Sequence, residues 1–349
     1  MHMSDALLSP AVGITMWAVT AGVTAYSLKK VAPETDTRKI PLMGIMGAFI
    51  FAAQMINFSI PGTGSSGHLG GGLLLSAVLG PYAGFLTMLS ILIVQALFFA
   101  DGGLLALGAN VFNLGFVTSF IAYPLLFKPL LSKSMDDKKI LTASLLTAIV
   151  GLQIGAFSVV LETMLSGKTV IPFGAFLLFM QPIHLAIGIV EGLVTAAVLV
   201  FVIKQQPEIL DAAMNRNSLE KAPVRKVILT MAGLALIVGL AVSWFASSHP
   251  DGLEWSLFKS TGVEELESDG KLHESLGTFQ EKVAILPDYG FKSTEGMKNS
   301  EGATSSSWPE VNAGTSVSGL VGGLFTFLLA AIFGFGVWLF RKSRRKHSS

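Results

Sequence analysis

Apolar runs of about 20 residues recur along this chain, split by short polar or glycine-rich breaks, which is the spacing of membrane crossings. Runs at about 10–28, 41–60, 68–80, 82–100, 105–127, 140–165, 173–203, 226–247 and 316–340 predict nine helices. The first nine residues hold no Lys or Arg, whereas Lys29, Lys30, Arg38 and Lys39 follow the first run. That order predicts an uncleaved helix running from outside to inside, not a signal peptide. Every second break is basic in the same way: Lys128, Lys133, Lys138 and Lys139; then Lys204, Arg216, Lys221, Arg225 and Lys226; then Arg341, Lys342, Arg344, Arg345 and Lys346. Together these place 18 of the 24 basic residues on one side. The expected fold class is an all-α polytopic protein of the cell membrane with about nine transmembrane helices, N-terminus outside and C-terminus cytoplasmic.

Composition agrees. With 349 residues, 51% hydrophobic, 13% charged and a mean hydropathy of +0.63, the chain is too apolar for a soluble globule. It has no cysteine, which excludes disulfides and thiolate metal sites and leaves nitrogen and oxygen as ligands. The net charge of +1 points to no partner, and the basic tail reads as a topology anchor, so no nucleic acid is expected. A charged, proline-containing break divides the chain into 1–204, a cytoplasmic linker 205–225, and 226–349. The last two spans enclose an external loop, 248–315, with 12 Asp or Glu against 5 Lys, which reads as solvated, and as flexible over Ser293–Ser307. No internal repeat is evident, which counts against an inverted-repeat secondary transporter.

Candidate chemistry begins at the first two residues. Methionine trimming requires a small second residue, so Met1 is expected to stay in front of His2 with a free amine. The amine, the amide nitrogen of His2 and its ring can close fused five- and six-membered rings on one ion, a nearly planar set suited to Ni(II) or Cu(II). A fourth ligand must come from elsewhere. Of six histidines, His2, His68, His249 and His273 fall on or near the outer side, while His184 lies within a span and His347 in the tail. His68 closes the loop Pro61–Gly67, whose glycines let the backbone fold against a partner segment, so it can meet the N-terminus. Thr63, Ser65 and Ser66 offer hydroxyls to orient its ring. Gly62–Gly67 also has phosphate-loop spacing, but His68 and Leu69 replace the required Lys and Ser or Thr. Gln54, Asn57, Gln95, Asn110, Asn113, Gln153 and Gln181 read as polar glue between helices. Glu162 and Glu191, the latter near His184, admit a proton-coupled permease. Asp101 is read either as a neighbour of the ion or as solvated. Ala18, Ala21, Gly22 and Ala25 form a small-residue face on the first span, open to internal packing or to docking of a partner.

Met1-His2 with Asp5, the stretch Asn57–His68 leading into Leu69-Gly70-Gly71-Gly72, and Gln95–Gly103 resemble the nickel/cobalt substrate-binding membrane subunit of energy-coupling factor transporters, the CbiM/NikM type, over about 1–204. Pro250-Asp251-Gly252-Leu253-Glu254 and Leu286-Pro287-Asp288-Tyr289-Gly290 are similar to its CbiN/NikN or PDGLE companion, so the whole resembles a NikMN-like fusion. The resemblance implies an ATP-driven importer subunit and not an enzyme. It implies an ion held in a square plane by Met1, His2 and His68; Asp5, Asn57, Thr63, Ser65, Ser66 and Asp101 are read as candidate neighbours of that ion. It further implies no permanent cofactor, Ni(II) or Co(II) as the transported ligand, and as partners a CbiQ/NikQ-like coupling subunit, a CbiO/NikO-like ATPase pair and membrane lipid. Small residues on the first helix, here Ala18, Ala21, Gly22 and Ala25, dock on the coupling subunit in that family. The family's usual opening, Met-His-Ile-Pro-Asp-Gly, reads Met1-His2-Met3-Ser4-Asp5-Ala6 here, so the first turn and the preference for nickel, which favours a square plane, are its least defined features. The competing readings are the permease and a membrane metal sensor without transport.

Overall fold

The computed structural model describes residues 2–31, 38–132, 134–168, 170–217, 219, 224–263, 266, 270–292 and 308–346. Met1, Lys133, Lys221 and the stretch Ser293–Ser307 lie outside the described residues. The elements are α1 (Pro10–Val31), α2 (Lys39–Gln54), a hairpin of β1 (Phe58–Ile60) and β2 (Ser65–Gly67), α3 (Gly72–Leu79), α4 (Pro81–Phe98), α5 (Leu107–Leu131), α6 (Asp137–Leu165), α7 (Phe173–Gln205), α8 (Pro207–Asn215), α9 (Arg225–Leu240), α10 (Gly252–Thr261), α11 (Lys271–Val283) and α12 (Ala313–Lys346).

Among the described residues, six helices, α1, α4, α5, α6, α7 and α12, are long and apolar enough to cross a membrane. The other three predicted spans are shorter. α2 and α9 have 16 residues each. α3 has 8, about 12 Å of rise against a hydrocarbon layer of about 30 Å. The run over 68–80 is apolar enough for a span, but Gly70, Gly71 and Gly72 keep its first part from winding. Gly71 has φ +78°, and a Cβ there would lie 2.5 Å from Ile50. Unwound backbone inside a bilayer needs partners from the protein, and here the Gly70 and Gly71 N–H groups donate to the two carboxylate oxygens of Glu191 at 2.8 and 3.1 Å. The Gly70 carbonyl accepts from Gln54 at 2.7 Å, and Gln54 in turn accepts from Gln95 at 2.9 Å.

α6 packs along α7, and α12 and α9 pack on α2. Close approach comes from glycine: Gly322 sits against the Phe51 ring and Gly44 against Phe327. Basic residues gather at one end of the bundle, where Lys204 pairs with Asp137 at 3.1 Å, Arg216 reaches the Lys30 carbonyl at 3.4 Å and Arg38 reaches that of Leu219 at 3.4 Å. The stretch 205–225 is more than a tether, since α8 within it is amphipathic and packs on α3 and α7.

The acidic stretch after α9 folds back onto the opposite end of the bundle instead of extending into solvent. α10 opens with a capping box, Asp251 accepting from the Leu253 and Glu254 N–H groups at 2.8 Å while Glu254 accepts from the Asp251 N–H at 2.9 Å. Ser66 N–H donates to the Pro250 carbonyl at 2.8 Å, the Trp255 indole to that of Thr63 at 3.0 Å, and His273 Nε2 to that of Leu8 at 3.0 Å. These contacts make the stretch a lid.

Candidate metal centre

Between the lid and the bundle lies an open cavity of about 560 Å³, lined among others by His2, Asp5, Asn57, His68, Asp101 and Tyr289. The N-terminal strand enters it as an inserted peptide. Met3 is fully buried. Its N–H donates to Asn110 Oδ1 at 2.8 Å, and its carbonyl accepts from Asn110 Nδ2 at 3.2 Å and from the Gly103 N–H at 2.9 Å. An Asn side chain matches a peptide unit in donor and acceptor, so Asn110 pairs with Met3 as a strand would. Asp5 is buried and accepts from the Ala106 N–H at 3.0 Å; burial raises its carboxyl above the ordinary range against that bond.

His2 and His68, 66 positions apart in sequence, stack with ring centroids 4.9 Å apart and planes 2° from parallel. His68 Nδ1 lies 3.1 Å from the Leu69 carbonyl, an acceptor, so Nδ1 carries the proton and Nε2 the lone pair. Burial, with His2 beside it, pushes the His68 imidazole down to about 3, which keeps it neutral as a ligand must be. His2 Nδ1 lies 3.1 Å from Asp101 Oδ1. Asp101 Oδ2 accepts from the Tyr289 hydroxyl. Although burial opposes its charge, His2 and these hydrogen bonds hold the Asp101 carboxyl below the usual carboxylate range. In an N-terminal chelate, Nδ1 is the ring atom that closes the six-membered ring, so an ion and Asp101 compete for the same nitrogen. Among the described residues, no group of three or more His, Asp or Glu side chains is placed to hold an ion by itself.

Other expected neighbours are used differently. Thr63 donates to the Ile60 carbonyl at 2.8 Å and pairs with Ser65 at 2.9 Å, while Ser66 donates to the His249 carbonyl at 2.8 Å. These hydroxyls fasten the hairpin and the lid, and the Leu69 carbonyl takes the role expected of them at His68. Asn57 lines the cavity and its carbonyl accepts from the Ser247 N–H at 2.7 Å. Glu191 binds backbone instead of His184, whose Nδ1 donates to the Met180 carbonyl at 2.8 Å. Glu162 accepts from Asn113 at 2.8 Å. Gln153 and Gln181 each donate to the other's carbonyl, at 2.8 and 3.3 Å, as helix glue should. Ala18, Ala21, Gly22 and Ala25 are all exposed on α1, and nothing lies within 4 Å of a Cβ built on Gly22, which removes internal packing as their explanation. Asn110 and Tyr289 escaped the sequence reading as site residues. Asn110 stood as helix glue, and Tyr289 was quoted only as part of a motif in the acidic loop.

Residues 2–209 match the CbiM family, described as the cobalt uptake substrate-specific transmembrane region, and residues 225–339 match the PDGLE domain. The probable fused nickel transport protein LarMN of Lactiplantibacillus plantarum is 30% identical, covering 69% of this chain and 73% of that one. The fused nickel transport protein NikMN of Rhodobacter capsulatus is 34% identical over 122 residues, 35% of each chain. A crystal structure of a truncated transition metal transporter aligns at 31% identity with a TM-score of 0.52, covering 58% of this chain and 99% of that one. The chain belongs to the CbiM family and carries a PDGLE domain behind its CbiM region.

Proposed function

We propose that this membrane protein is the substrate-binding subunit of an energy-coupling factor importer for nickel or cobalt ions. The ion is captured in a square plane of the Met1 amine, the His2 amide nitrogen, the His2 ring and His68. The observation that carries the reading is the stack of His2 on His68 inside a polar cavity, at the end of the bundle away from the basic residues. A neutral His68 with its Nδ1 proton tied to a carbonyl has the protonation and orientation of a ligand histidine. The basic end is cytoplasmic by the positive-inside rule, which puts the cavity outside and gives nine crossings, α2, α3 and α9 completing the set. Residues 1–204 form the metal-binding part and 226–349 the lid-bearing part, joined through 205–225. Transport is driven by a coupling subunit docked on the exposed face of Ala18, Ala21, Gly22 and Ala25 and by a pair of cytoplasmic ATPases. Glu162 and Glu191 serve structure, since each is engaged by amides within the bundle.

Metal analysis of the purified, untagged chain tests the ligand set. Wild type should retain about one Ni(II) or Co(II) per chain. His2→Ala, His68→Ala and a chain with one residue added before Met1 should each retain almost none, because each removes or displaces one corner of the square. Full occupancy in the extended chain would rule out the terminal amine.

A further inference from the structure

Backbone strain marks where the lid meets the site. Four non-glycine residues among those described have positive φ, and three of them, Ala100 (55°), Asp288 (50°) and Tyr289 (59°), meet at one contact. Such conformations persist only where the surroundings over-determine them, and they collect at functional positions. Here the surroundings are explicit. The Ile285 and Leu286 N–H groups donate to the Phe98 carbonyl at 3.0 and 3.1 Å, and that of Asp288 to the Phe99 carbonyl at 2.9 Å. Gln280 donates to the carbonyls of Ala96 and Gly102 at 2.8 Å each. The Tyr289 ring stacks on Phe99 at 5.0 Å. The result of this scaffolding is one phenol hydroxyl delivered to Asp101 Oδ2, while Asp101 Oδ1 holds His2 Nδ1 at 3.1 Å.

We propose that Tyr289, on the PDGLE side of the chain, is a positioning residue for metal capture, acting through Asp101 on His2. The proposal rests on His2 being a ligand through Nδ1. When Nδ1 turns to the ion, Asp101 loses its imidazole donor. A partly buried carboxylate stripped of donors is costly, and the Tyr289 hydroxyl is the donor that stays. The loaded site is therefore stabilised by a residue of the lid. By linkage, the ion tightens the lid by the same factor that the lid tightens the ion.

The test is Ni(II) titration calorimetry on the full chain in detergent, comparing wild type, Tyr289→Phe, Asp101→Asn and the double variant. Tyr289→Phe keeps the ring on Phe99 and removes only the hydroxyl. It should weaken Ni(II) binding about tenfold, because the bond to Asp101, present with and without the ion, is worth more once the imidazole donor has left. In the Asp101→Asn background the same change should cost less than about twofold, because the amide that replaces the carboxylate carries no charge for the hydroxyl to compensate. Unchanged affinity in Tyr289→Phe, or a full tenfold loss that persists in Asp101→Asn, overturns the proposal. A wild-type chain that binds neither nickel nor cobalt overturns the ligand set itself, which separates failure of that reading from failure of this one.

Discussion

At the scale of single residues, the site is a problem of proton ownership. A chelate that uses an amide nitrogen must release the amide proton, and the amine and the His2 ring must be free of theirs. His68 takes little part in that competition, because burial, with His2 adding to the effect, already holds its imidazole below the ordinary range. The amide proton alone makes the association constant fall about tenfold for each pH unit lost, so the loss from pH 8 to pH 5 is at least about a thousandfold. Equilibrium dialysis with Ni(II) across that range should give a slope of one or more in log affinity against pH. A flat profile would remove the amide nitrogen from the ligand set. His2 and His68 were legible in the sequence because the chemistry of a chain start is local and the topology left few histidines on its side. Asp101 was legible only as an ambiguity, since its second partner, Tyr289, lies 188 positions away. Thr63, Ser65 and Ser66 misled because short hydroxyls bond to the backbone that passes closest, which a sequence does not display.

Among elements, hydropathy located every apolar run yet overstated three helices, for it counts apolar residues without asking whether they wind. α3 shows the difference: its approach is held unwound by Glu191 and Gln54, polar groups from two other helices. α1 shows the converse, a wound helix whose face is unexplained by its own bundle. Ala18, Ala21, Gly22 and Ala25 project no bulk and stand exposed, a surface that lets a second helix approach closely. Gly22→Leu has room to be accommodated in the isolated chain, since nothing lies within 4 Å of its Cβ position. Ala21→Leu and Gly22→Leu are therefore expected to fold and to bind Ni(II) within about twofold of wild type. They should lose most of their co-purification with the coupling subunit and ATPases. Retained assembly in both variants would move the docking surface off α1.

For the molecule as a whole, the decisive arrangement is that the cavity and the basic residues lie at opposite ends of the bundle. The cavity is bounded by the N-terminal segment, the turn after α4 and the lid, and beyond the buried Gln54, Gln95, Asn110 and Glu191, which are tied up in hydrogen bonds, the bundle beside it is apolar, with Met46, Phe49, Ile50, Leu73, Leu74 and Leu75 all buried. An ion stripped of water has no favourable place in such a core, so delivery to the basic end requires the bundle to rearrange around it, and binding alone supplies no net work for that. The sequence presents the acidic loop as solvated because its contacts with the bundle are mostly to backbone carbonyls, which carry no sequence signature; once seated, its described residues cover part of the outer end. In sealed proteoliposomes this chain alone should therefore take up about one Ni(II) per molecule and then stop. Co-reconstitution with the coupling subunit and ATPases, with ATP supplied to the nucleotide-binding side, should raise uptake many-fold above that stoichiometry. Accumulation by the chain alone that collapses when a proton gradient is dissipated would instead make it a self-contained permease, and Glu162 and Glu191 would then have to be re-read as carriers rather than as fasteners.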